Sequence, residues 1–306
     1  MVFTSERGLR GLQFLMPDIR LDVIPRTTDL LAAEQVLERI SVRPPYFTLE
    51  DLALEGTYFE ATARAEAPLY LEQGPMTAAE AGRHAALAGS CNIAMAQRDN
   101  KRRFYLAKEA LCRYTVNSAP YGSPVNFKSS ITLFDKRQAA THVLAEAGGH
   151  PLAEFDIRYT ILMETTFERL FKRKAHPTPE VASPYGKLLI ESCDQGPDWA
   201  EQRLEVIPVH ACPGHFQNFP ALPVAVLMGQ LSYLAGRIAG NPFRVLRGDV
   251  RASDLGWAGE AISFRADRLS IDGNTQRYYC AATTGGREIG SMDLWLEAPC
   301  NTKSIN

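Results

Sequence analysis

The chain has 306 residues, of which 45% are hydrophobic and 22% charged, a composition typical of a globular protein with one large or two ordinary domains. Its formal net charge of −2 argues against a nucleic-acid-binding protein and against one that docks on an anionic membrane. The first ten residues include charged side chains and no long apolar segment, so we expect no secretory signal and a cytoplasmic protein.

The six cysteines are scattered, without a CxxC pair or a spacing to histidine that is typical of metal sites. We therefore expect reduced, structural thiols and predict neither a metal nor another cofactor. The chain has no Gly-rich phosphate loop, Ser nucleophile elbow or HExxH motif. Nucleotide-dependent, serine-hydrolase and zinc-peptidase functions therefore have no support in the sequence.

The N-terminal half of the sequence predicts a helix, a strand or bent pair of strands, a second helix and then four strands. Apolar residues at helical spacing predict a first helix over 28–40, and partial alternation predicts a strand or a bent pair of strands over 46–65. Thr77 and Glu80 have the spacing of a capping box and therefore begin a second helix, 78–95. Four predicted strands follow, over 103–115, 125–134, 140–146 and 152–163.

The C-terminal half repeats this order after a polar connection near 171–184. A predicted strand over 203–209 leads into a Pro- and Gly-rich loop, 213–223, and then into an apolar helix over 224–238. This helix lacks a wide polar face, which predicts burial on most sides. Four strands are predicted after it, over 243–250, 260–269, 277–284 and 289–297.

A glycine pair precedes an aspartate by seven residues between the last two predicted strands of each half. The two copies are Gly148-Gly149 before Asp156 and Gly285-Gly286 before Asp293. Together with the matching order of helix and strands, this echo predicts a tandem duplication. We expect two α+β units, over 1–170 and 180–306, each with a central helix wrapped by a curved antiparallel sheet.

The loop before the apolar helix carries a distinctive spacing of histidine and proline. His215 is followed by Pro220 after five residues and by Pro223 after eight. This pattern resembles the active-site segment of β-hydroxyacyl-acyl-carrier-protein dehydratases of the hot-dog fold, over about 25 residues. The resemblance implies a double hot-dog fold for the whole chain. One position departs from the family pattern, because the acidic residue expected fourteen positions after the histidine is Gly229, followed by Gln230.

The resemblance also implies where the missing acid lies, since the sites of hot-dog dehydratases form between two units. Glu80 is near the N-terminal end of the first-half helix. We predict that His215 takes a proton from the carbon next to a thioester carbonyl and that Glu80 protonates the leaving hydroxyl, which dehydrates a 3-hydroxyacyl thioester. His84, four residues after Glu80, either orients that carboxyl or is a core histidine.

Other parts of a dehydratase-like site are predicted from the same resemblance. Backbone N–H groups near Leu222, Pro223 and Val224, at the N-terminus of the apolar helix, are expected to stabilise the enolate. A basic cluster after the first-half helix is expected to meet the phosphates of coenzyme A, or an acyl carrier protein; it consists of Arg98, Lys101, Arg102 and Arg103. The pathway would be fatty-acid-like or polyketide biosynthesis, and the protein a monomer or homodimer.

Three alternatives remain open at this stage. Gly229 stands where the dehydratase pattern has an acidic residue, and Gln230 follows it. This favours a hot-dog thioesterase, in which the side-chain amide holds or activates water. An acyltransferase or decarboxylase needs only oxyanion donors and a tyrosine, for which Tyr58 and Tyr233 are the candidates. The third alternative is a non-catalytic acyl-binding protein that keeps the tunnel without the chemistry.

Overall fold

Two long helices are wrapped by one curved antiparallel sheet in the computed structural model, which describes residues 28–177, 185, 192–240 and 242–298. Within these residues the sheet has 13 strands. The N-terminal half contributes β1 (Thr28–Leu30), α1 (Ala33–Leu37), β2 (Glu50–Glu55), β3 (Tyr58–Ala63), α2 (Ala78–Ala96), β4 (Arg103–Tyr114), β5 (Val125–Phe134), β6 (Gln138–Ala147), β7 (His150–Met163) and α3 (Glu164–Phe171).

The C-terminal half repeats the core of this arrangement. Its elements are β8 (Ser192–Gln195), β9 (Trp199–Leu204), α4 (Val224–Ala239), β10 (Arg244–Arg251), β11 (Ile262–Asp272), β12 (Thr275–Thr284) and β13 (Arg287–Glu297). The strand order around α2 is β3-β5-β6-β7-β4, and the order around α4 is β9-β11-β12-β13-β10. The two orders correspond strand for strand, which confirms the predicted α+β double hot-dog fold.

The two halves are joined through their adjacent edge strands, β4 and β10. These strands pair antiparallel, with Cys112 opposite Gly248 and Ala110 opposite Val250. A separate apolar core lies under each half, one around α2 and one around α4. The unit bounds of 1–170 and 180–306 stay a prediction, because part of the connection lies outside the described residues.

The repeated glycine pairs occupy equivalent hairpins, between β6 and β7 and between β12 and β13. Their φ angles are 60° and 77° at Gly148 and Gly149, and 52° and 79° at Gly285 and Gly286. Two successive positive φ angles are required by the tight turn that matches the twist of a hairpin, and glycine adopts them without steric cost. The sequence echo therefore has a structural cause in both halves.

The central helices begin and end close to their predicted bounds. Thr77 caps α2 by accepting a hydrogen bond from the Glu80 N–H at 3.2 Å, and α4 ends at Gly240, whose φ is 73°. Small residues let the helices approach each other, since a methyl group placed on Gly229 would lie 3.6 Å from the Ala79 side chain. No helix in the described part of the chain combines the length and apolarity needed to cross a membrane.

Two predicted elements differ from the structure, and one helix was not predicted. The helix expected over 28–40 is the strand β1 followed by the short helix α1, because Leu30 pairs with Ala53 at the edge of the sheet. The strand expected over 203–209 lies earlier, at β9, where it pairs with β11. The helix that was not predicted is α3, between β7 and the connection. Tertiary packing holds it, because Phe167 is buried and stacks on Phe104, with 3.7 Å between ring centroids.

Candidate active site

Two cavities lie on opposite sides of the contact between α2 and α4, and Ala79 and Ala225 line both. The first, the His215 cavity, has a volume of about 130 Å³ and is lined by His215, by the α2 face at Gly82 and Ala86, and by part of β4. The second, the Gln230 groove, has a volume of about 500 Å³. The loop before α4 and a face of α2 form the His215 cavity, and the loop before α2 and a face of α4 form the Gln230 groove. Each cavity therefore depends on both halves.

The His215 loop contacts the N-terminal half through the backbone of Gly214. The Arg43 N–H donates to the Gly214 carbonyl at 2.8 Å. Gly214 has a φ of 69°, and a Cβ there would clash with the Arg43 carbonyl and lie 2.8 Å from the Tyr46 nitrogen. Only glycine fits such a close approach in this conformation without strain. The Pro- and Gly-rich sequence thus fixes His215 beside the 43–46 segment of the other unit.

His215 is held as a neutral base. Its Nδ1 lies 3.3 Å from the Ala221 carbonyl oxygen, and because a carbonyl oxygen only accepts hydrogen bonds, Nδ1 carries the proton. The ring stacks on Phe216, with centroids 3.9 Å apart, and lies 5.2 Å from the Tyr46 ring. Burial lowers the pKa of His215 to about 4, against the smaller opposing effect of the Ala221 hydrogen bond. At neutral pH, Nε2 therefore keeps a free lone pair.

The predicted oxyanion donors at the N-terminus of α4 differ in whether an N–H is available. Leu222 donates its N–H to the Gly256 carbonyl at 2.7 Å, and Pro223 has no N–H. The Ala225 backbone forms a hydrogen bond with the Tyr46 hydroxyl. Val224 lines the His215 cavity, and within the described residues no acceptor takes its N–H. Among the predicted oxyanion donors, Val224 is therefore the one that is free to act.

Glu80 is fully buried, but its carboxylate faces the 66–67 segment. It accepts the N–H of Glu66 at 2.7 Å and that of Ala67 at 3.3 Å. Burial raises the pKa of Glu80 to about 7, although these hydrogen bonds and Arg83 oppose the shift. Glu80 lines neither the His215 cavity nor the Gln230 groove as described. The structure therefore places its side chain apart from the cavity that holds His215.

His84 is a buried histidine of the α2 core. Its Nε2 lies 3.9 Å from a Glu80 oxygen, and its ring lies 5.7 Å from the Phe127 ring. Neither ring nitrogen has a hydrogen-bond partner within the described part of the chain. Burial lowers the pKa of His84 to about 3, so the ring is neutral. With Glu66 and Glu80 it forms a cluster whose ligand atoms lie within 4.8 Å, but Arg83 already binds Glu66 at 2.6 Å and opposes a cation there.

The Gln230 groove holds the residues of the thioesterase alternative. Gln230 donates its side-chain amide to the Gln202 side-chain oxygen, and Gly229 and Tyr233 line the groove beside it. Tyr233 packs against Tyr70, with ring centroids 5.3 Å apart. Tyr58, in contrast, is exposed on β3 under the Lys128 ammonium and lines neither cavity.

The predicted basic cluster divides into paired and free cations. Arg103 binds Asp99 at 2.7 Å, and Arg102 lies 3.4 Å from Glu164. Arg98 and Lys101 are exposed and make no ion pair within the described residues. The cluster precedes β4, whose residues Tyr105 to Lys108 line the His215 cavity. Lys101 and Arg98 precede Tyr105 in the chain by four and seven residues.

Two buried charged residues line the cavities and were not predicted from the sequence. Arg83 lines the His215 cavity and donates to the Tyr46 carbonyl at 3.0 Å and to the Pro45 carbonyl at 3.2 Å. Glu72 lines the Gln230 groove, and one of its oxygens accepts the Ala78 N–H at 2.6 Å. The signal for Arg83 was a long charged side chain inside the Ala-rich sequence of α2. Glu72 lies in a loop without a motif, and no comparable signal identifies it.

Comparison with known proteins supports the fold assignment. No protein-family model and no curated protein matches the chain. Among solved structures, it is similar to the 12:0-ACP thioesterase from Umbellularia californica, with 9% identity over 78% of this chain and 94% of that one, and a TM-score of 0.53. A TesB protein of Mycobacterium avium subs paratuberculosis is 12% identical over 82% of this chain and 96% of that one, with a TM-score of 0.53. An acyl-ACP thioesterase from Bacteroides thetaiotaomicron is 10% identical over 79% of this chain and 98% of that one, with a TM-score of 0.51.

These similarities decide the architecture. The chain has the double hot-dog fold. Identities of 9% to 12% show the shared fold and not a shared reaction. The chemistry of this double hot-dog protein therefore has to be argued from its own cavities.

Proposed function

We propose that the protein acts on acyl thioesters and that the reaction in the His215 cavity is thioester hydrolysis. One observation carries the proposal. A neutral imidazole and a free helix N–H, those of His215 and Val224, line the same cavity between the two units. The remainder of the lining includes Leu106, Phe155 and Met228, which suit an acyl chain.

Each group has a defined task in hydrolysis. His215 Nε2 accepts a proton from water, whose oxygen bonds to the thioester carbon. The carbonyl π electrons move to the oxygen, and the resulting negative charge is stabilised by the Val224 N–H and the positive end of the α4 dipole. The C–S bond then breaks, and the imidazolium returns its proton to the departing thiolate. The products are a carboxylic acid and a free thiol.

Hydrolysis is favoured over dehydration by the carboxylates that surround the cavity. The carboxylates that line the described cavity, Glu109 and Asp254, are exposed, and Asp254 is paired with Arg287. Dehydration needs a protonated carboxyl group beside the base to protonate the leaving hydroxyl. Neither Glu109 nor Asp254 is buried beside His215 in this way. Hydrolysis needs only one base, which shuttles its proton. Two of the structural neighbours named above are thioesterases by name, and this is the second support for the proposal.

The substrate is presented on coenzyme A or on an acyl carrier protein. Arg98 and Lys101 supply unpaired cations near the start of β4, as phosphate or acidic-surface recognition requires. Two of the neighbours act on acyl carrier protein thioesters, as their names state. The cytoplasmic location and the monomer or homodimer state stay predictions.

The test follows two products separately. The protein is incubated with octanoyl-coenzyme A and with 3-hydroxyoctanoyl-coenzyme A, and free thiol and enoyl absorbance are recorded. We expect thiol release from both substrates without enoyl formation. Thiol release should be lost in His215→Ala. Enoyl formation without thiol release would reject hydrolysis.

Dehydration by His215 and Glu80 is the second candidate. It is favoured by the raised pKa of Glu80, about 7, which leaves a substantial protonated fraction at neutral pH. For this reaction the 66–67 segment has to release the carboxyl group and the side chain has to reach the cavity. Enoyl formation that is lost in Glu80→Gln supports dehydration. Glutamine still accepts the Glu66 N–H, so the fold is retained.

A further inference from the structure

We propose that the Gln230 groove is a second thioester-hydrolysing site, with Glu72 as its general base, for aromatic acyl groups. This inference rests on the proposed function only for the substrate class. The groove is the counterpart of the His215 cavity across the α2–α4 contact. It pairs the 67–72 segment of the N-terminal half with the α4 face at Gly229 and Gln230.

Glu72 has the position and environment of a base. Its side chain is buried, with a relative exposure of 8%, and it lines the groove. One carboxylate oxygen accepts the Ala78 N–H at 2.6 Å, while the other has no hydrogen bond within the described residues. A single fixed oxygen orients the carboxylate, and the second remains available to accept a proton from water.

The groove also offers an oxyanion donor at the start of α2. In the first turn, Ala78 donates to Glu72, Glu80 donates to the Thr77 hydroxyl, and Ala81 donates to the Thr77 carbonyl at 2.9 Å. Ala79 lines the groove, and its N–H has no acceptor among the described residues. This N–H is the counterpart of the free donor at the start of α4.

The walls of the groove specify the acyl group. Tyr70 and Tyr233 pack together on one side, and Tyr185 and Phe243 line the same space. Aromatic walls bind a flat aromatic acyl group through offset or edge contacts. The volume of about 500 Å³, against about 130 Å³ for the His215 cavity, accommodates such a group. Arylacyl thioesters are therefore the class that we assign to the groove.

The hydrolytic step is balanced without a further reactant. Glu72 takes a proton from water as the water oxygen bonds to the thioester carbon, and the oxyanion is stabilised by the Ala79 N–H. Cleavage of the C–S bond releases the thiolate, which recovers the proton from Glu72. The side-chain amide N–H of Gln230 donates to Gln202, so its side-chain carbonyl oxygen is available to accept a hydrogen bond from the water.

The two sites differ in their expected pH dependence. Burial raises the pKa of Glu72 to about 7, with a hydrogen bond from Ala78 opposing the shift and the nearby Glu80 adding to it. Tyr114 of β4 interacts electrostatically with Glu72, and Arg244 of β10 lines a neighbouring cavity with it. Because the base must be ionised, groove activity rises with pH through about 7. Activity in the His215 cavity has no transition there.

The experiment compares phenylacetyl-coenzyme A with octanoyl-coenzyme A in the full-length protein. Glu72→Gln is expected to lower thiol release from phenylacetyl-coenzyme A at least 100-fold and to leave octanoyl-coenzyme A unaffected, and His215→Ala is expected to do the reverse. Gly229→Leu fills the groove and should raise KM for the phenylacetyl thioester. Gly229→Ala should change it little, because its methyl group makes only an ordinary contact with Ala79.

The outcomes separate this inference from the proposed function. Unchanged phenylacetyl hydrolysis in Glu72→Gln, or no phenylacetyl hydrolysis by the wild type, overturns the inference. If octanoyl-coenzyme A is not cleaved while phenylacetyl cleavage depends on Glu72, the proposal for the His215 cavity fails and the groove assignment stands. Glu154→Gln, which changes an exposed carboxylate on β7, is the matched control and should leave both activities unchanged.

Discussion

The Arg43 N–H donates a 2.8 Å hydrogen bond to the carbonyl of Gly214, and this contact joins the N-terminal half to the loop that carries His215. The bond is possible because Gly214 has no side chain, since a Cβ would clash with the Arg43 carbonyl. The position of His215 in its cavity therefore depends on a backbone contact between the two units.

Gly214→Ala is expected to destabilise the protein by about 2 kcal/mol or more, because it combines a left-handed conformation with a clash against backbone. It should also reduce hydrolysis of octanoyl-coenzyme A. Denaturant unfolding gives the first quantity and thiol release gives the second. Gly122→Ala is the matched control, since Gly122 has a φ of 81° and nothing lies within 4 Å of a Cβ placed there. Equal losses in the two variants would show that the contact with Arg43 is unimportant.

Arg83→Lys is expected to cost about 3 kcal/mol of unfolding free energy, because lysine cannot reproduce the guanidinium contacts in a buried site. Arg83 bridges the Tyr46 and Pro45 carbonyls and the Glu66 carboxylate from a fully buried position. Urea unfolding measures the effect. Arg158→Lys provides the comparison, since Arg158 forms an exposed ion pair with Glu109 at 3.4 Å and should contribute under 1 kcal/mol. Similar values for the two variants would contradict a bridging role for Arg83.

The sequence predicted α2 and α4 well because each has a long Ala-rich or apolar run with a recognisable first turn at Thr77 or Pro223. It also located the His215 loop through its proline spacing. The direction of the Glu80 side chain was not predictable, because the choice between capping Thr77 and binding the Glu66 N–H depends on how the 66–67 segment docks. Glu72 was missed for the same reason, since only tertiary packing buries it.

Glu72→Gln is expected to stabilise the protein increasingly as pH rises. The pKa of Glu72 is raised from 4.5 to about 7, so between these values the folded state binds more protons than the unfolded state. Stability then falls as pH rises, by on the order of 3 kcal/mol for this group over the whole range. Glutamine still accepts the Ala78 N–H but has no charge to bury. The difference in unfolding free energy between variant and wild type should therefore grow by roughly 2–3 kcal/mol from pH 5 to pH 8.

Urea unfolding at both pH values measures this difference directly. The neutral histidines His84 and His215 have lowered pKa values and act in the opposite direction below pH 6.5, but their contribution cancels in the comparison of variant with wild type. Glu154→Gln, on the exposed surface of β7, should show no comparable growth. A constant difference between pH 5 and pH 8 would mean that Glu72 is solvated.

His215→Ala is expected to lower kcat/KM for octanoyl-coenzyme A by about 10²–10⁴-fold, the contribution typical of a general base. Because burial lowers the pKa of His215 to about 4, the wild-type kcat/KM should fall only as pH drops through about 4 and should be level between pH 5 and pH 8. A fall centred near pH 6.5 would indicate a solvated imidazole outside the cavity. His150→Ala, which changes an exposed histidine at the start of β7 that lines neither cavity, is the control and should leave kcat/KM unchanged.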